Sequence, residues 1–150
     1  MPVITNLIRA VDVAAFIINR QGEMPSIKLQ SLVYYSQAWS LAWDETPLFS
    51  ERVEAWATGP IIPELYAKHG HLFKVGSSHI TASPCALQDF QVETVEAVLR
   101  HYGGRHTQWL SKLTRAEPPW KDTRRAILHA PVYHRGVIPL SAMAEYYVSL

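Results

Sequence analysis

A chain of 150 residues, 48% hydrophobic and 18% charged, is long enough to bury about 68 to 70% of the surface it exposes when unfolded; this excludes a disordered polymer and predicts a single domain over residues 1–150. A net charge of +1 and a pI near 7.9 fall short of the basic balance of a dedicated nucleic-acid binder, and no run reaches the ~18 apolar residues a membrane span needs. Cys85 is the one cysteine, which rules out an internal disulfide or a CxxC motif and fits a reducing, cytoplasmic setting, while Arg9 and Asp12 break the apolar N-terminal stretch and argue against a signal peptide.

The first predicted element is a helix over about 6–20, with Leu7, Ile8, Val11, Ala14, Ala15 and Ile18 at helical spacing, Thr5 as a cap and Gly22 as a stop. A second helix runs from Ser26, as N-cap, to about Trp43, with Leu29, Leu32, Val33, Ser36, Trp39 and Ala42 on one face. Lys28 falls in its first turn, where the helix dipole disfavours a cation. Weak alternation around Val53–Trp56 predicts an extended stretch or small hairpin. Pro63 then suits the first position of a short helix that Gly70 can end, and residues 70–84 read as loop.

A longer helix follows, from about Phe90 or Val92 to Tyr102, ended by Gly103 and Gly104. The next carries Trp109, Leu110 and Leu113, with Thr107 as cap, and stops at "EPPW" because a proline biases its predecessor away from helical dihedrals. Trp120 opens a further helix through Arg124 to His129, and Ser141 caps a last one. The fold class is therefore mainly α: a compact multi-helix single domain with room for one small two-stranded β ribbon.

Catalytic and metal motifs are absent from the pattern. The histidines form no HExxH, with His69 and His71 two apart in a predicted loop and the pairs His101/His106 and His129/His134 five apart. No GxxxxGK[ST], GxGxxG or GxSxG occurs, and Cys85 reads as a small buried or half-buried residue. No catalytic residue, cofactor or metal ligand is assigned. Residues 1–98 carry 6 Lys and Arg against 10 Asp and Glu, residues 99–150 carry 8 against 3. That asymmetry fits an interface with a charged partner better than it fits nucleic acid. Five tryptophans and seven tyrosines exceed what a small helical core requires; most should pack inside, and those that reach the surface are the natural anchors of a binding face. Trp56 and Tyr66 flank a corner in which Pro60 and Pro63 fix their own φ and Gly59 tolerates the strain before Pro60, so that the aromatics are held before a partner arrives.

The segment "IKLQSLVYYSQAWSLAWDETPLFSERVEAWATGPIIPELYAKH" resembles the SocA-like antitoxin domain, also called Panacea and the phage-associated GepA family, which shows a KLQKLLYYAQ-type helix followed by PLF, E-A-W and G-P-x-x-P-x-x-Y. Lys28, Leu29, Gln30, Tyr34, Tyr35, Gln37, Pro47, Leu48, Phe49, Glu54, Ala55, Trp56, Gly59, Pro60, Pro63 and Tyr66 carry the likeness. Downstream, Leu113, Thr114, Glu117, Pro119 and Trp120 resemble the family's L-T-H-x-E-x-P-W, with Arg115 where the family has His. The resemblance implies a helical, non-enzymatic protein that neutralises a cognate toxin by binding it, and that in SocA-type members delivers it to a ClpXP-like protease. On that basis the candidate partner-binding residues are Lys28, Tyr35, Glu54, Trp56, Gly59, Pro60, Pro63, Tyr66 and Trp120. A dull alternative for Lys28 is an ion pair with Glu54. A phage- or mobile-element-encoded adaptor and a small nucleic-acid binder are the alternatives for the whole chain.

Overall fold

The computed structural model describes residues 8–128 and 136–150. Among them, α1 (Ala10–Gln21) leads through a two-residue strand, β1 (Met24–Pro25), into α2 (Ser26–Trp43). After a ten-residue loop come β2 (Glu54–Trp56), β3 (Gly59–Ile61), α3 (Pro63–His69) and β4 (Lys74–Val75). The chain closes with α4 (Asp89–Tyr102), α5 (Thr107–Ala116), α6 (Pro118–Ala126) and α7 (Leu140–Val148). β1 pairs with β4 and β2 with β3, both antiparallel, so two ribbons accompany the helices where the sequence predicted room for one.

Helix α2 is the axis of the domain. The sequence pattern gave it one apolar face; in the structure every residue from Leu29 to Ala38 is buried, because α1, α4, α5 and α7 pack around it. Leu29, Leu32 and Val33 are wholly enclosed, each such side chain contributing about 1.5 to 3 kcal/mol relative to exposure. A helix enclosed on all sides must also satisfy its polar side chains, and those of α2 do so across the fold. The Gln37 amide oxygen accepts the Leu48 N–H at 2.7 Å, and its nitrogen donates to the Phe49 carbonyl at 2.8 Å. The Gln30 amide oxygen accepts the Ile62 N–H at 2.9 Å. Ser40 donates to the Thr46 carbonyl at 2.6 Å, and Ser36 folds back onto the Leu32 carbonyl at 2.8 Å.

Helix starts are where the sequence expectations needed correction. α1 begins at Ala10 and not near residue 6: the Ile8 N–H is taken by the Leu48 carbonyl at 2.9 Å, and the Asp12 carboxylate receives the Arg9 N–H at 2.9 Å, which makes Arg9 the entry residue. Thr5 and Leu7 lie outside the described residues, as do His129 and His134. Ser26, Thr107 and Ser141 sit inside their helices, with Pro25, His106 and Pro139 at the caps. At α2 the reason is visible, since the Ser26 N–H is satisfied by the Phe73 carbonyl at 2.8 Å and needs no side-chain cap. α6 starts at Pro118, two residues before Trp120.

Three further expectations fail for tertiary reasons. Residues 74–75, read as loop, form β4 because β1 lies alongside. Cys85 is exposed. Of the five tryptophans none is fully buried: Trp39, Trp56 and Trp120 are half-buried, Trp43 and Trp109 exposed, while Tyr34, Tyr35, Tyr102 and Tyr147 take the core positions. Among the described residues no helix is long and apolar enough to cross a membrane.

Replacing Gln37 by Leu keeps the volume but leaves the buried Leu48 N–H and Phe49 carbonyl without their side-chain partner. At about 1 to 3 kcal/mol for each orphaned group, Gln37→Leu should destabilise the fold by about 2 to 6 kcal/mol. A urea midpoint that does not move would show that this loop is held otherwise.

Candidate partner-binding site

The β2–β3 ribbon carries most of the candidate residues. Its two strands are joined by Ala57 and Thr58, and Gly59 sits at φ 134, a conformation that side chains rarely adopt. A Cβ there would also lie 3.2 Å from the Thr114 hydroxyl, so the glycine allows both the turn and the approach of α5. Pro60 lacks an N–H, a lack that does not prevent the Ala55–Pro60 pairing in so short a ladder. Pro63 opens α3 at its first turn, where no N–H partner exists to be lost. β2 is flanked on its other side by residues 136–138: the Ala55 N–H donates to the Gly136 carbonyl at 2.9 Å and the Ile138 N–H to the Val53 carbonyl at 2.8 Å.

Side chains from α6 then lock the ribbon from behind. The Trp120 indole N–H donates to the Trp56 carbonyl at 2.9 Å, and Arg124 donates to the Ala55 carbonyl at 3.0 Å while lying 5.7 Å from the Trp120 ring. Ser111 of α5 donates to the Thr58 carbonyl at 2.6 Å. In front, the Trp56 indole N–H donates to Glu54 at 2.8 Å, and Arg52 binds the other Glu54 oxygen at 2.8 Å. The Glu54 carboxylate thus pairs with Arg52, not with Lys28, which corrects the ion-pair alternative. Lys28 is half-buried, has no ion pair among the described residues, and its pKa is lowered by burial.

Trp56 and Tyr66 meet with ring centroids 5.0 Å apart, and Tyr66 continues to His69 at 5.1 Å and His71 at 6.4 Å. Together with Ile61 and Phe73 these rings line an open cleft of about 350 Å³ at the N-terminal end of α2. Its outer edge is apolar and exposed, Phe73 by 74% and Leu72 by 42%. Phe73 and Leu72 fell in a stretch without period, so nothing in the sequence marked them. His69 is enclosed: its Nε2 lies 3.0 Å from the Gln30 amide nitrogen and its Nδ1 3.2 Å from the Gly70 carbonyl. The arrangement assigns a neutral ring that donates from Nδ1 and accepts at Nε2, in keeping with a pKa lowered by burial.

Glu54, Trp56, Gly59, Pro60, Pro63, Tyr66 and Trp120 therefore gather around one ribbon and its cleft. Tyr35 does not join them. It is wholly buried in α2, donates to Glu117 at 2.8 Å and stacks on Tyr102 at 4.0 Å. Tyr147 of α7 donates to the same Glu117 oxygen at 2.6 Å and lies 3.1 Å from the Tyr34 hydroxyl. Glu117 is a motif residue that was not among the site candidates. It precedes Pro118, which holds it in extended backbone, φ −96 and ψ 144, between α5 and α6 and turns its carboxyl into the core. Burial raises its pKa, opposed by the bonds from Tyr147 and Tyr35. Burial likewise raises Tyr102, to about 12.

A family model described as antitoxin SocA-like, Panacea domain, matches residues 29–121. No curated protein and no solved structure matches the chain. The matched span begins at Leu29 within α2, just after Lys28, takes in both strands of the site ribbon and Glu117, and ends within α6.

Two outcomes follow for this region. Gly59→Ala should cost about 1 to 3 kcal/mol through backbone strain, read as a fall in urea midpoint; an unchanged midpoint would mean that the turn relaxes freely. Glu117 supplies the pH dependence. Its folded pKa lies above the ordinary 4.5, so between 4.5 and the folded value the folded state holds more of a proton than the unfolded chain does. Its stabilising contribution is full below pH 4.5 and is lost as pH rises through the folded value. The stability of the natural chain minus that of Glu117→Gln should therefore decline from pH 4.5 towards neutrality, the other titrating groups cancelling in the difference. Parallel profiles would contradict a buried, proton-retaining Glu117.

Proposed function

We propose that this chain, which belongs to the SocA-like antitoxin family with its Panacea domain, neutralises a toxin protein by direct, stoichiometric binding, with no bond made or broken. The family implies the toxin partner. The observation that carries the choice of surface is the cleft at Trp56, Tyr66 and Phe73: its rings are exposed or half-exposed, while the backbone is tied down at Ala55, Trp56 and Thr58 by Arg124, Trp120 and Ser111, at Ile62 before α3 by Gln30, and at Phe73 by the Ser26 N–H. Aromatic side chains bury large area at low entropic cost and dominate binding hot spots. A backbone already held spares the ordering cost, about 0.5 to 1.5 kcal/mol for each side chain immobilised on association. Lys28, next to cleft-lining Ile27 in the chain, offers a cation to a toxin carboxylate.

Glu54, Gly59, Pro60, Pro63 and Trp120 serve this reading as supports that position the rings, and Tyr35 serves it from the core. Delivery of the bound toxin to a ClpXP-like protease is a further step within the same proposal, read out as a shortened toxin lifetime when protease is added. A phage- or mobile-element-encoded adaptor acting on a host protein is the second reading. It differs in one result, since it binds a host protein and gives no rescue when a neighbouring toxin is induced.

Phe73→Asp tests the surface, because a residue exposed by 74% can be changed with little effect on folding. Co-purified with its cognate toxin, the natural chain should form a stable complex on size exclusion. Phe73→Asp and Tyr66→Ala should each weaken it at least tenfold, about 1.4 kcal/mol, with melting points checked separately. Natural affinity in both variants would remove the cleft from the interface, and failure to bind any neighbouring gene product would remove the antitoxin reading.

A further inference from the structure

Among the described histidines only His69 is buried, 3% exposed, and it forms part of the cleft wall. Its neighbours decide where its proton sits. The Gln30 amide is oriented by its oxygen, which accepts the enclosed Ile62 N–H at 2.9 Å. Its nitrogen therefore faces the other way, 3.0 Å from His69 Nε2 and 3.4 Å from the Ile62 carbonyl. An amide NH2 group can only donate, so Nε2 accepts and the ring proton is on Nδ1, 3.2 Å from the Gly70 carbonyl. Gly70, His69, Gln30 and Ile62 form one chain of bonds with one direction.

A second ring proton has no place in that chain. On Nε2 it meets the Gln30 NH2 group, donor against donor. Turning the amide over would offer its oxygen to Nε2–H, but it would set the NH2 group against the Ile62 N–H and leave that buried donor without an acceptor. No setting of Gln30 serves both a charged His69 and Ile62. The consequence reaches the cleft, because Ile62 is the entry residue of α3 and its carbonyl receives the N–H groups of Leu65 and Tyr66 at 3.0 and 2.9 Å.

The charged groups nearby do not relieve this conflict. On α3 itself stand Lys68, Glu64, which Arg52 holds at 3.5 Å, and Tyr66, whose ring centroid is 5.1 Å from that of His69. α2 brings Lys28, two positions before Gln30, and the loop after α3 brings His71. α1 packs against α3 with an apolar buried face; its Asp12 accepts the Arg9 N–H and its Arg20 pairs with Glu96. Burial lowers the His69 pKa, opposed by the Gly70 carbonyl.

We propose that His69 and Gln30 form a proton-sensitive latch under the cleft: with the ring neutral, Gln30 holds the Ile62 corner that places Tyr66, and a proton on Nε2 releases it. The latch belongs to the free chain. Only its consequence for a partner, a complex weakened in acid, rests on the reading of the cleft as the toxin site. A released ring titrates at the ordinary 6.5 and the latched ring lower, so the latch contributes fully above pH 6.5 and its contribution is lost as pH falls through the folded value.

Amide hydrogen exchange and ring-nitrogen spectra of the free chain test it. At pH 7.5 the His69 ring should carry its proton on Nδ1 and none on Nε2. Between pH 7.5 and 5.0 the protection of the Ile62 N–H, corrected for intrinsic exchange, should fall at least about tenfold. That of Leu48, held by Gln37 in the same manner with no histidine in the chain of bonds, should not. His69→Gln should keep Ile62 protection level over the range, whereas His71→Gln should behave like the natural chain. A proton on Nε2 at pH 7.5, Ile62 protection that stays level in the natural chain, or a fall shared equally by Leu48 would overturn the proposal, and each is read without any substitution. So would an undiminished fall in His69→Gln.

Discussion

A helix buried on every side cannot leave a polar group without a partner, and α2 carries several. That single constraint orders the rest of the molecule. Gln30 reaches the backbone of Ile62, Gln37 the backbone of Leu48 and Phe49, Tyr35 the carboxyl of Glu117, and the Tyr34 hydroxyl meets that of Tyr147. An orphaned buried group costs about 1 to 3 kcal/mol, a large share of a domain's net stability. Each of these side chains therefore fixes one later stretch of chain: the loop after α2, the corner before α3, the joint between α5 and α6, and the last helix.

The same bonds explain why the site ribbon is rigid without being deeply buried. Ile62, held by Gln30, ends the Gly59–Ile61 strand and starts α3, so Tyr66 is placed by α2 at one remove. Trp120 and Arg124 hold the other strand from α6, whose start is set by Glu117 and Pro118. Surface aromatics at the two ends of α2 thus rest on a polar-pinned centre.

Much of this was legible in the residues. The mainly helical class, the extents of α2, α3 and α4, the ribbon at Glu54–Trp56 and the resemblance to the SocA-like family all followed from spacing, proline and glycine placement, and motif. Less legible were the helix starts, because their free N–H groups are satisfied from distant chain: Leu48 for Ile8, Phe73 for Ser26. β4 escaped for the same reason, a two-residue ladder having no period of its own. The split between buried tyrosines and outlying tryptophans was also hidden, since both residue types fit a helical stripe and the partners that hold Tyr35 and Tyr147 inside, Glu117 above all, come from distant chain. Of the candidate residues, spacing grouped those of the ribbon together, and the structure sets Tyr35 apart because it answers to a carboxyl 82 positions later.

The central claim is that polar side chains on α2 hold the later motif segments energetically and not merely in proximity. A double-mutant cycle of Tyr35→Phe and Glu117→Gln, followed by urea unfolding at neutral pH, measures that link. The account predicts a coupling of at least about 1 kcal/mol, well beyond the roughly 0.3 to 0.5 kcal/mol within which independent sites add. Additivity inside that margin would contradict it.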